Sequence, residues 1–410
     1  MSKIQPFKAL RPAESFAAGV ASRPYDVLNR EEAKKEAAEQ PASFLHITKS
    51  EIDLPDTVDI HDQAVYEKAK ENLKAFIDNQ ILIQEEKPAY YIYQLVMNGK
   101  SQTGLVAVSS VDDYEADVIK KHEFTRPEKE QDRINHIAIS GAQTGNVFLA
   151  YRDVAALNEL IEGWKQGHDA IYDFVAEDGI GHTVWLVDDE ATIAQITSLF
   201  DKEVPETYIA DGHHRAASAA KVRKALGADK TPASDYFLTT LFPASELLIM
   251  DYNRVITDLN GLTKEQFLDK LKENFELSVS SQPVKPAALH HIGLYLDHQW
   301  YELVAKPGSF DANDPVGVLD ISVLQKNVLG PILNILDQRT DKRIDFVGGI
   351  RGLEGLTARV DTGEMTLAFS LYPVDIQQLF AIADSGNVMP PKSTWFEPKL
   401  RDGLLTHLIK

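Results

Sequence analysis

Alternating and periodic apolar positions divide the first 250 residues into strands and helices. Alternation predicts a hairpin of two strands, Ala89–Met97 and Gly104–Val111, joined through the turn formers Asn98-Gly99. A helix begins after the N-cap residue Asn29, and a second helix is predicted roughly from Asp62 to Asn79. The other segments predicted here are the strands Asn146–Tyr151, Thr183–Val187, Thr207–Ala210, Tyr236–Phe242 and Leu247–Met250, and helices over about 154–166, 191–200 and 213–226.

The pattern changes near residue 255. The later segments are a helix at Lys264–Asn274, a hairpin of Ile292–Leu296 and Trp300–Val304, a helical stretch at Val318–Leu336 and a strand at Met365–Leu371. Strands and helices mix without strict alternation, which indicates an α/β or α+β fold with a mixed sheet. We expect an N-terminal α/β domain over residues 1–255 and a C-terminal α+β domain over residues 256–410. The terminal loop of the second domain is a candidate lid over the phosphate site described below.

Composition narrows the class of protein. The chain has 410 residues, of which 44% are hydrophobic and 25% charged, as in ordinary globular proteins. The lack of cysteine excludes disulfides, thiolate catalysis and cysteine metal sites. No signal peptide and no run of about 20 apolar residues is evident, so we expect a soluble, cytoplasmic protein without a membrane partner. A net charge of −20 disfavours nucleic acid as a partner. A homo-oligomer is left open.

One turn concentrates chemically active residues. Asp211 and Gly212 follow a short apolar run, and His213, His214 and Arg215 then occupy the first turn of an alanine-rich helix. We expect Asp211 to be the N-cap and Gly212 to let the backbone approach a ligand. A helix N-terminus already carries about half a positive charge, so cations there typically cost about 0.3–1 kcal/mol. A bound anion, held by backbone N–H groups and by Arg215, would offset this cost.

Two other interpretations of this turn stay open. Arg215 could pair with a buried carboxylate while the histidines lie on the surface. His213 and His214, or His122, could instead bind a metal ion, although adjacent histidines on a helix point about 100° apart and rarely share one ion.

Two earlier segments carry further candidates. Arg23 and Asp26 flank a rigid Pro-Tyr pair and could clamp a phosphate, or could simply pair with each other. Lys121, His122 and Glu123 offer a cation, an imidazole and a carboxylate that could act as a general base. The alternative for such a run is a solvated charged loop.

A stiff C-terminal loop holds the last candidates. Lys392 and Thr394 lie between prolines and next to aromatic residues. Such a loop packs against something, either as a lid over the site or as a strap on the core.

Four stretches of the sequence match one family. The chain resembles the bacterial domain-of-unknown-function family numbered ten-fifteen over nearly its whole length. The matching stretches are Arg23-Pro24-Tyr25-Asp26-Val27, Lys121-His122-Glu123-x-Thr125, Ala210-Asp211-Gly212-His213-His214-Arg215 and Pro391-Lys392-Ser393-Thr394-x-Phe396-x-Pro398-Lys399.

A more distant resemblance concerns the central turn alone. The Asp-Gly-x-His-Arg turn before an alanine-rich helix is similar to the signature of the ParB/sulfiredoxin superfamily, in which this helix N-terminus binds nucleotide phosphates. One branch of that superfamily consists of free-serine kinases. The chain has no cysteine to act as the sulfiredoxin nucleophile, and no ParB-like DNA-binding helices are evident.

The resulting hypothesis is a small-molecule kinase that uses ATP, ADP or pyrophosphate with Mg²⁺ and acts on a hydroxy amino acid such as L-serine. The residues assigned to the phosphoryl donor are Gly212, His213, Arg215, Arg23, Lys121, His122, Lys392 and Thr394. Asp211 would orient Mg²⁺ or the substrate, Glu123 would be the general base with Asp26 second, and His214 belongs to the catalytic group. The alternatives are a regulatory module that binds nucleotide without chemistry and a structural or partner-binding protein.

Overall fold

A computed structural model describes residues 1–410 as two compact units. The first unit consists of Met1–Leu247 and Pro398–Lys410, and the second consists of Leu248–Glu397. The second unit is therefore inserted into the chain of the first, and the last residues of the chain return to the first unit. The sequence pattern indicated one boundary near residue 255 and no such return of the C-terminus.

The bounds of the regular elements are as follows. The strands are β1 Ile4–Gln5, β2 Leu10–Pro12, β3 Leu82–Gln84, β4 Tyr90–Met97, β5 Lys100–Ser110, β6 Ile119–Lys120, β7 Ala142–Gln143, β8 Val147–Tyr151, β9 Tyr172–Val175, β10 Gly181–Val187, β11 Thr207–Asp211, β12 Tyr236–Pro243, β13 Ile249–Met250, β14 Tyr252–Ile256, β15 Phe275–Ser280, β16 His291–Leu296, β17 Gln299–Ala305, β18 Ile344–Gly348, β19 Leu367–Ser370, β20 Trp395–Phe396 and β21 His407–Leu408. The α-helices are α1 Ala17–Val20, α2 Arg30–Ala37, α3 Leu45–Thr48, α4 Gln63–Asp78, α5 Val111–Glu115, α6 Pro127–Ser140, α7 Ala155–Gly167, α8 Glu190–Glu203, α9 His213–Leu226, α10 Lys264–Leu271, α11 Asp320–Leu324, α12 Gly352–Asp361 and α13 Ile376–Asp384.

A nine-stranded mixed sheet forms the centre of the first unit. Its order is β6-β11-β8-β12-β5-β4-β10-β9, with β1 added beside β5. The pairs β11–β6 and β12–β8 are parallel, and the remaining neighbours are antiparallel. The mixed α/β fold expected from the sequence is thus confirmed.

Strand directions bring three chain segments to one edge of this sheet. Because β6 and β11 are parallel, the loop after β6 and the turn after β11 leave the sheet at the same end. Because β8 is antiparallel to β11, the chain enters β8 at that end too. Helix α9 begins there, directly after β11.

Helix α9 is buried around most of its circumference. Four of its alanines, Ala216, Ala217, Ala219 and Ala220, are buried. Small side chains let neighbouring elements approach the helix backbone closely, and Ser218 donates a hydrogen bond of 3.1 Å to the carbonyl of Glu130 in α6. Close packing on several sides fixes the position of the helix N-terminus.

The second unit is built on a separate six-stranded sheet. The order is β15-β17-β16-β19-β14-β18, and every neighbouring pair is antiparallel. The hairpin β16–β17 was predicted from the sequence, but α12 and α13 were missed. The long helix expected over Val318–Leu336 was wrong, since α11 spans only Asp320–Leu324 and continues as a single π-helical turn over Gln325–Leu329.

Local signals predicted the more regular elements correctly. Asn29 caps α2 in a reciprocal capping box with Glu32, and Asp62 caps α4. The β4–β5 hairpin turns at Asn98-Gly99, both of which have positive φ. None of the helices is long and apolar enough to cross a membrane.

Gly403 tests how tightly the returning C-terminal segment is held. Its φ is +91°, and a Cβ atom there would lie 2.6 Å from Cγ of Phe44. We expect Gly403→Ala to lower the free energy of unfolding by about 2–5 kcal/mol, through backbone strain and overpacking together. Denaturant unfolding measures this loss.

Gly99→Ala is the matched control, because Gly99 has φ +76° but no atom lies within 4 Å of the position that an alanine methyl group would take. This variant should lose only about 1 kcal/mol from strain. Equal losses in the two variants would show that Phe44 yields and that the segment is loosely packed.

Candidate functional site

The turn between β11 and α9 has an irregular backbone on both sides of Asp211. The register of β11 against β8 shifts between Ile209 and Asp211, as at a β-bulge, which re-aims the side chain that follows. Gly212 has φ +95° and ψ 28°, a left-handed conformation that glycine adopts without cost. A Cβ on Gly212 would also come within 3.1 Å of the Arg215 guanidinium.

The predicted N-cap role of Asp211 is wrong. Asp211 is the last residue of β11, Gly212 occupies the N-cap position, and no side chain caps the helix. The Asp211 carboxylate instead faces two cations, with Lys399 Nζ at 2.9 Å and Arg215 Nη2 at 3.6 Å. The N–H groups of the first helical turn therefore lack a side-chain cap.

The loop after β6 lies across the start of α9. The backbone N–H of His122 points at Nε2 of His213 at 3.5 Å, and the two rings meet edge to face with centroids 4.6 Å apart. The backbone N–H of Arg126 donates to Nε2 of His214 at 2.9 Å. In both helix histidines, Nε2 thus faces a backbone N–H group and accepts from it.

Arg215 is buried and meets acceptors from three segments. Its Nη1 donates to the carbonyl of Asn146, just before β8, and its Nη2 lies 3.8 Å from the Asp26 carboxylate and 3.6 Å from that of Asp211. Gly145 makes room for the side chain, since a Cβ there would approach Arg215 Cδ to 3.2 Å. The alternative suggested by the sequence, in which Arg215 pairs with a carboxylate, therefore agrees with its contacts to Asp26 and Asp211.

The C-terminal segment supplies two residues that the sequence did not assign to the site. Lys399 pairs with Asp211, and Asp402 is buried beside Arg215 and Gly145. Backbone hydrogen bonds between Asp402 and Ser22 hold this segment in place. Lys399 was present in a matching stretch, but Asp402 gave no local signal because its partners are far away in the sequence.

Burial decides the charge of the two inner histidines. Desolvation lowers the pKa of His122 to about 4, and desolvation together with neighbouring His122 lowers that of His213 well below its usual value. Both rings are therefore neutral at pH 7. The expectation that His213 adds positive charge to the first helical turn was wrong.

The remaining charges oppose one another. Burial alone raises the pKa of Asp211, but Lys399 and Arg215 outweigh it and hold the pKa well below its ordinary value. Burial alone lowers the pKa of Arg215, but the carboxylates of Asp26 and Asp211 outweigh burial and raise the pKa above its ordinary value. In the site, Arg215 therefore faces the carboxylates of Asp26 and Asp211, and Lys399 faces that of Asp211.

Several predicted residues lie outside this cluster. Arg23 is exposed and pairs with Glu36 at 2.5 Å, and Lys121 donates to the carbonyl of Tyr114 at 2.8 Å. Glu123 is exposed on the loop that crosses α9. Lys392 and Thr394 belong to the second unit, and their roles stay predictions.

The features described so far define a class: a mixed α/β protein with a strand, an Asp-Gly turn and a buried helix whose N-terminus gathers charged residues from distant segments. The chain belongs to the family described as a protein of unknown function (DUF1015), whose model matches residues 4–322. No curated protein matches the sequence.

Three solved structures are among those to which the chain is similar. They are a free serine kinase in complex with AMP (12% identity, TM-score 0.37, covering 73% of this chain and 91% of that chain), SbnI with a C-terminal truncation from Staphylococcus aureus (11%, 0.39, 72% and 85%) and a conserved hypothetical protein from Pyrococcus furiosus (14%, 0.35, 73% and 93%).

Asp402 gives the site a specific pH dependence. Burial raises the pKa of its carboxyl to about 7, against the opposing effect of Arg215. The folded chain therefore favours the protonated form, so this contribution to stability is complete below about pH 4 and is lost as the pH rises to about 7. We expect Asp402→Asn to gain stability relative to the wild type across that interval, by up to a few kcal/mol at about 1.4 kcal/mol per pKa unit.

Urea unfolding at half-unit steps from pH 4 to 8.5 measures the difference between the two proteins. Neutral His122 and His213 act in the opposite direction, because they destabilise the fold as the pH falls below about 6.5, and they do so in both proteins. A constant difference between variant and wild type over the whole range would contradict the assignment to Asp402.

Proposed function

We propose that this protein is a phosphate- or nucleotide-binding enzyme, a phosphotransferase that acts on a small hydroxy compound at the start of α9. The observation that carries the proposal is the meeting of four separate segments. Asp26 contacts Arg215, His122 contacts His213, and Lys399 contacts Asp211. Collecting charged groups in a buried place costs desolvation that apolar residues would avoid, and such clusters concentrate at functional sites.

The helix N-terminus is the proposed binding place for phosphate. The first N–H groups of α9 have no side-chain cap, and the helix dipole favours an anion there. Gly212 has no side chain to keep a phosphate away from the backbone. Lys399 and Arg215 supply charge-assisted donors, which bind phosphate oxygens more strongly than neutral donors do.

The carboxylates fit a Mg²⁺ ion that arrives with phosphate. No group of three or more His, Asp or Glu residues in the chain could hold a metal ion alone. Asp26 and Asp211, however, both lie within 4 Å of the same nitrogen of Arg215 and keep 42% and 30% of their side-chain surface exposed. Mg²⁺ is usually bound by one or two carboxylates together with phosphate oxygens, and it neutralises charge that develops during transfer.

Glu123 is the proposed general base. In the reaction, the substrate hydroxyl oxygen forms a bond to the terminal phosphorus of the donor, the bond from that phosphorus to the leaving phosphate breaks, and the hydroxyl proton passes to the carboxylate. Glu123 is exposed on the loop that also carries His122, so a substrate can reach it. The resemblance of the Asp-Gly-x-His-Arg turn to free-serine kinases supports a hydroxy amino acid such as L-serine as the acceptor.

Binding is tested through Lys399. We expect ATP, ADP or pyrophosphate with Mg²⁺ to raise the melting temperature of the wild type, and Lys399→Gln to weaken that binding about 10- to 100-fold, the usual effect of losing a charged hydrogen bond. Thermal shift followed by titration calorimetry measures both. Lys264→Gln is the control, because it removes one lysine from a similar ion pair with Asp297 at 2.7 Å in the second unit.

If the Lys399→Gln and Lys264→Gln variants bound nucleotide or pyrophosphate with equal affinity, Lys399 would not take part in binding. No stabilisation of the wild type by any nucleotide, pyrophosphate or phosphate would end the proposal. Arg215→Ala is less suitable as the first variant, because it also removes buried contacts to Asn146 and two carboxylates.

Catalysis is tested through Glu123. With hydroxy amino acids as acceptors, we expect Glu123→Gln to lower kcat by about 10²- to 10⁴-fold, the range supplied by a general base, while the nucleotide-dependent shift in melting temperature persists. Phosphorus NMR detects the phosphorylated product. Glu128→Gln should keep full activity, because Glu128 lies nearby in the first turn of α6 but outside the proposed site.

The same experiment separates the enzyme from the non-catalytic regulatory module. Nucleotide binding by the wild type without any phosphorylated product, over the whole panel of acceptors and donors, would favour the module.

A further inference from the structure

One aromatic side chain is far more exposed than the others. Phe124, in the loop between β6 and α6, is 70% exposed. Phe16, at 38%, is the other exposed aromatic residue of the chain, and the remaining ones are buried or half-buried. An exposed phenylalanine forgoes the stabilisation that burial of a large apolar side chain gives, so Phe124 contributes little to the fold.

The loop that carries Phe124 is attached to the start of α9 on both sides of this residue. Two positions before it, the backbone N–H of His122 points at Nε2 of His213 at 3.5 Å, and two positions after it, the backbone N–H of Arg126 donates to Nε2 of His214 at 2.9 Å. Consecutive Cα atoms are about 3.8 Å apart, so the Cα of Phe124 lies within about 7.6 Å of the Cα atoms of both anchoring residues. Phe124 is therefore held next to the first turn of α9, where phosphate is proposed to bind.

The other segments that meet at the start of α9 present polar groups. Asp26 and Lys399 approach through charged side chains. None of the other exposed large apolar side chains of the chain belongs to a segment that contacts the start of α9. The proposed phosphate site thus has charged groups on several sides and a single exposed aromatic ring beside it.

We propose that Phe124 stacks on the base of a nucleotide whose phosphates lie at the start of α9, so that the phosphoryl donor is a nucleoside di- or triphosphate rather than pyrophosphate. The inference rests on the proposed function of the same site. Every nucleobase has a flat π-face, and its stacking on an aromatic side chain needs no hydrogen-bond partner. Outside helices, adjacent side chains point to different sides of the backbone, so Phe124 can contact the base while Glu123 faces the transferred phosphate.

The test compares ADP with pyrophosphate, which has two linked phosphates but no base. Titration calorimetry with Mg²⁺ gives the affinity of each ligand for the wild type and for Phe124→Ala. We expect Phe124→Ala to bind ADP about 5- to 100-fold more weakly, the effect of losing one stacked base, and to bind pyrophosphate like the wild type. Phe124→Tyr keeps an aromatic ring and should bind ADP like the wild type.

Phe16→Ala is the matched control, because Phe16 is an exposed phenylalanine of the same unit that lies outside the loop of Phe124. This variant should keep the wild-type affinity for both ligands. Denaturant unfolding without ligand should give equal stability for Phe124→Ala and the wild type, because the ring that is removed is exposed.

Two results would overturn the inference and leave the phosphate site in place. They are binding of pyrophosphate without binding of ADP, and a Phe124→Ala variant in which the affinities for ADP and pyrophosphate change equally or not at all. The Lys399→Gln variant separates the two proposals, because the loss of a phosphate contact should weaken ADP and pyrophosphate alike. If neither ligand binds the wild type, the proposed function and this inference fail together.

Discussion

The arrangement of the site depends on the ion pairs that the Asp211 carboxylate makes with Lys399 and Arg215. This carboxylate lies at the end of β11, faces Lys399 and Arg215, and so joins the C-terminal segment, β11 and the start of α9. Burial opposes the negative charge of Asp211, so removing either Lys399 or Arg215 would leave only one cation to stabilise that charge. The opposing pKa shifts of Asp211 and Arg215 describe the same balance from both sides.

Sequence reasoning succeeded where the determinants are local. The capping box of α2, the Asn98-Gly99 hairpin and the order of strand, Asp-Gly turn and helix all depend on residues within a few positions of each other. It failed where a residue far away in the sequence determines the contacts of a side chain. Asp211 is a good N-cap in isolation, but Lys399, 188 positions later, takes its carboxylate.

The histidines show the same limit for charge. The sequence places His213 and His214 on one helical turn, but it does not show that a loop from β6 covers one of them and removes it from water. Neutral rings change the chemistry that the turn can offer, since they can accept protons or hydrogen bonds but do not attract an anion by charge. Two other candidates have partners outside the site, because Arg23 pairs with Glu36 and Lys121 donates to the carbonyl of Tyr114.

The charge balance also bears on whether the proposed phosphate ligand binds alone or together with a metal ion. Arg215 and Lys399 already face Asp26 and Asp211, so a bare phosphate would compete with these carboxylates for the same donors. A phosphate that arrives with a divalent cation meets a different situation, because the cation attracts the carboxylates while the phosphate oxygens attract Arg215 and Lys399. The carboxylates then assist binding instead of opposing it. Under the proposed function, the acids that neutralise the helix start are therefore the reason to expect a metal-bound phosphate rather than a free anion.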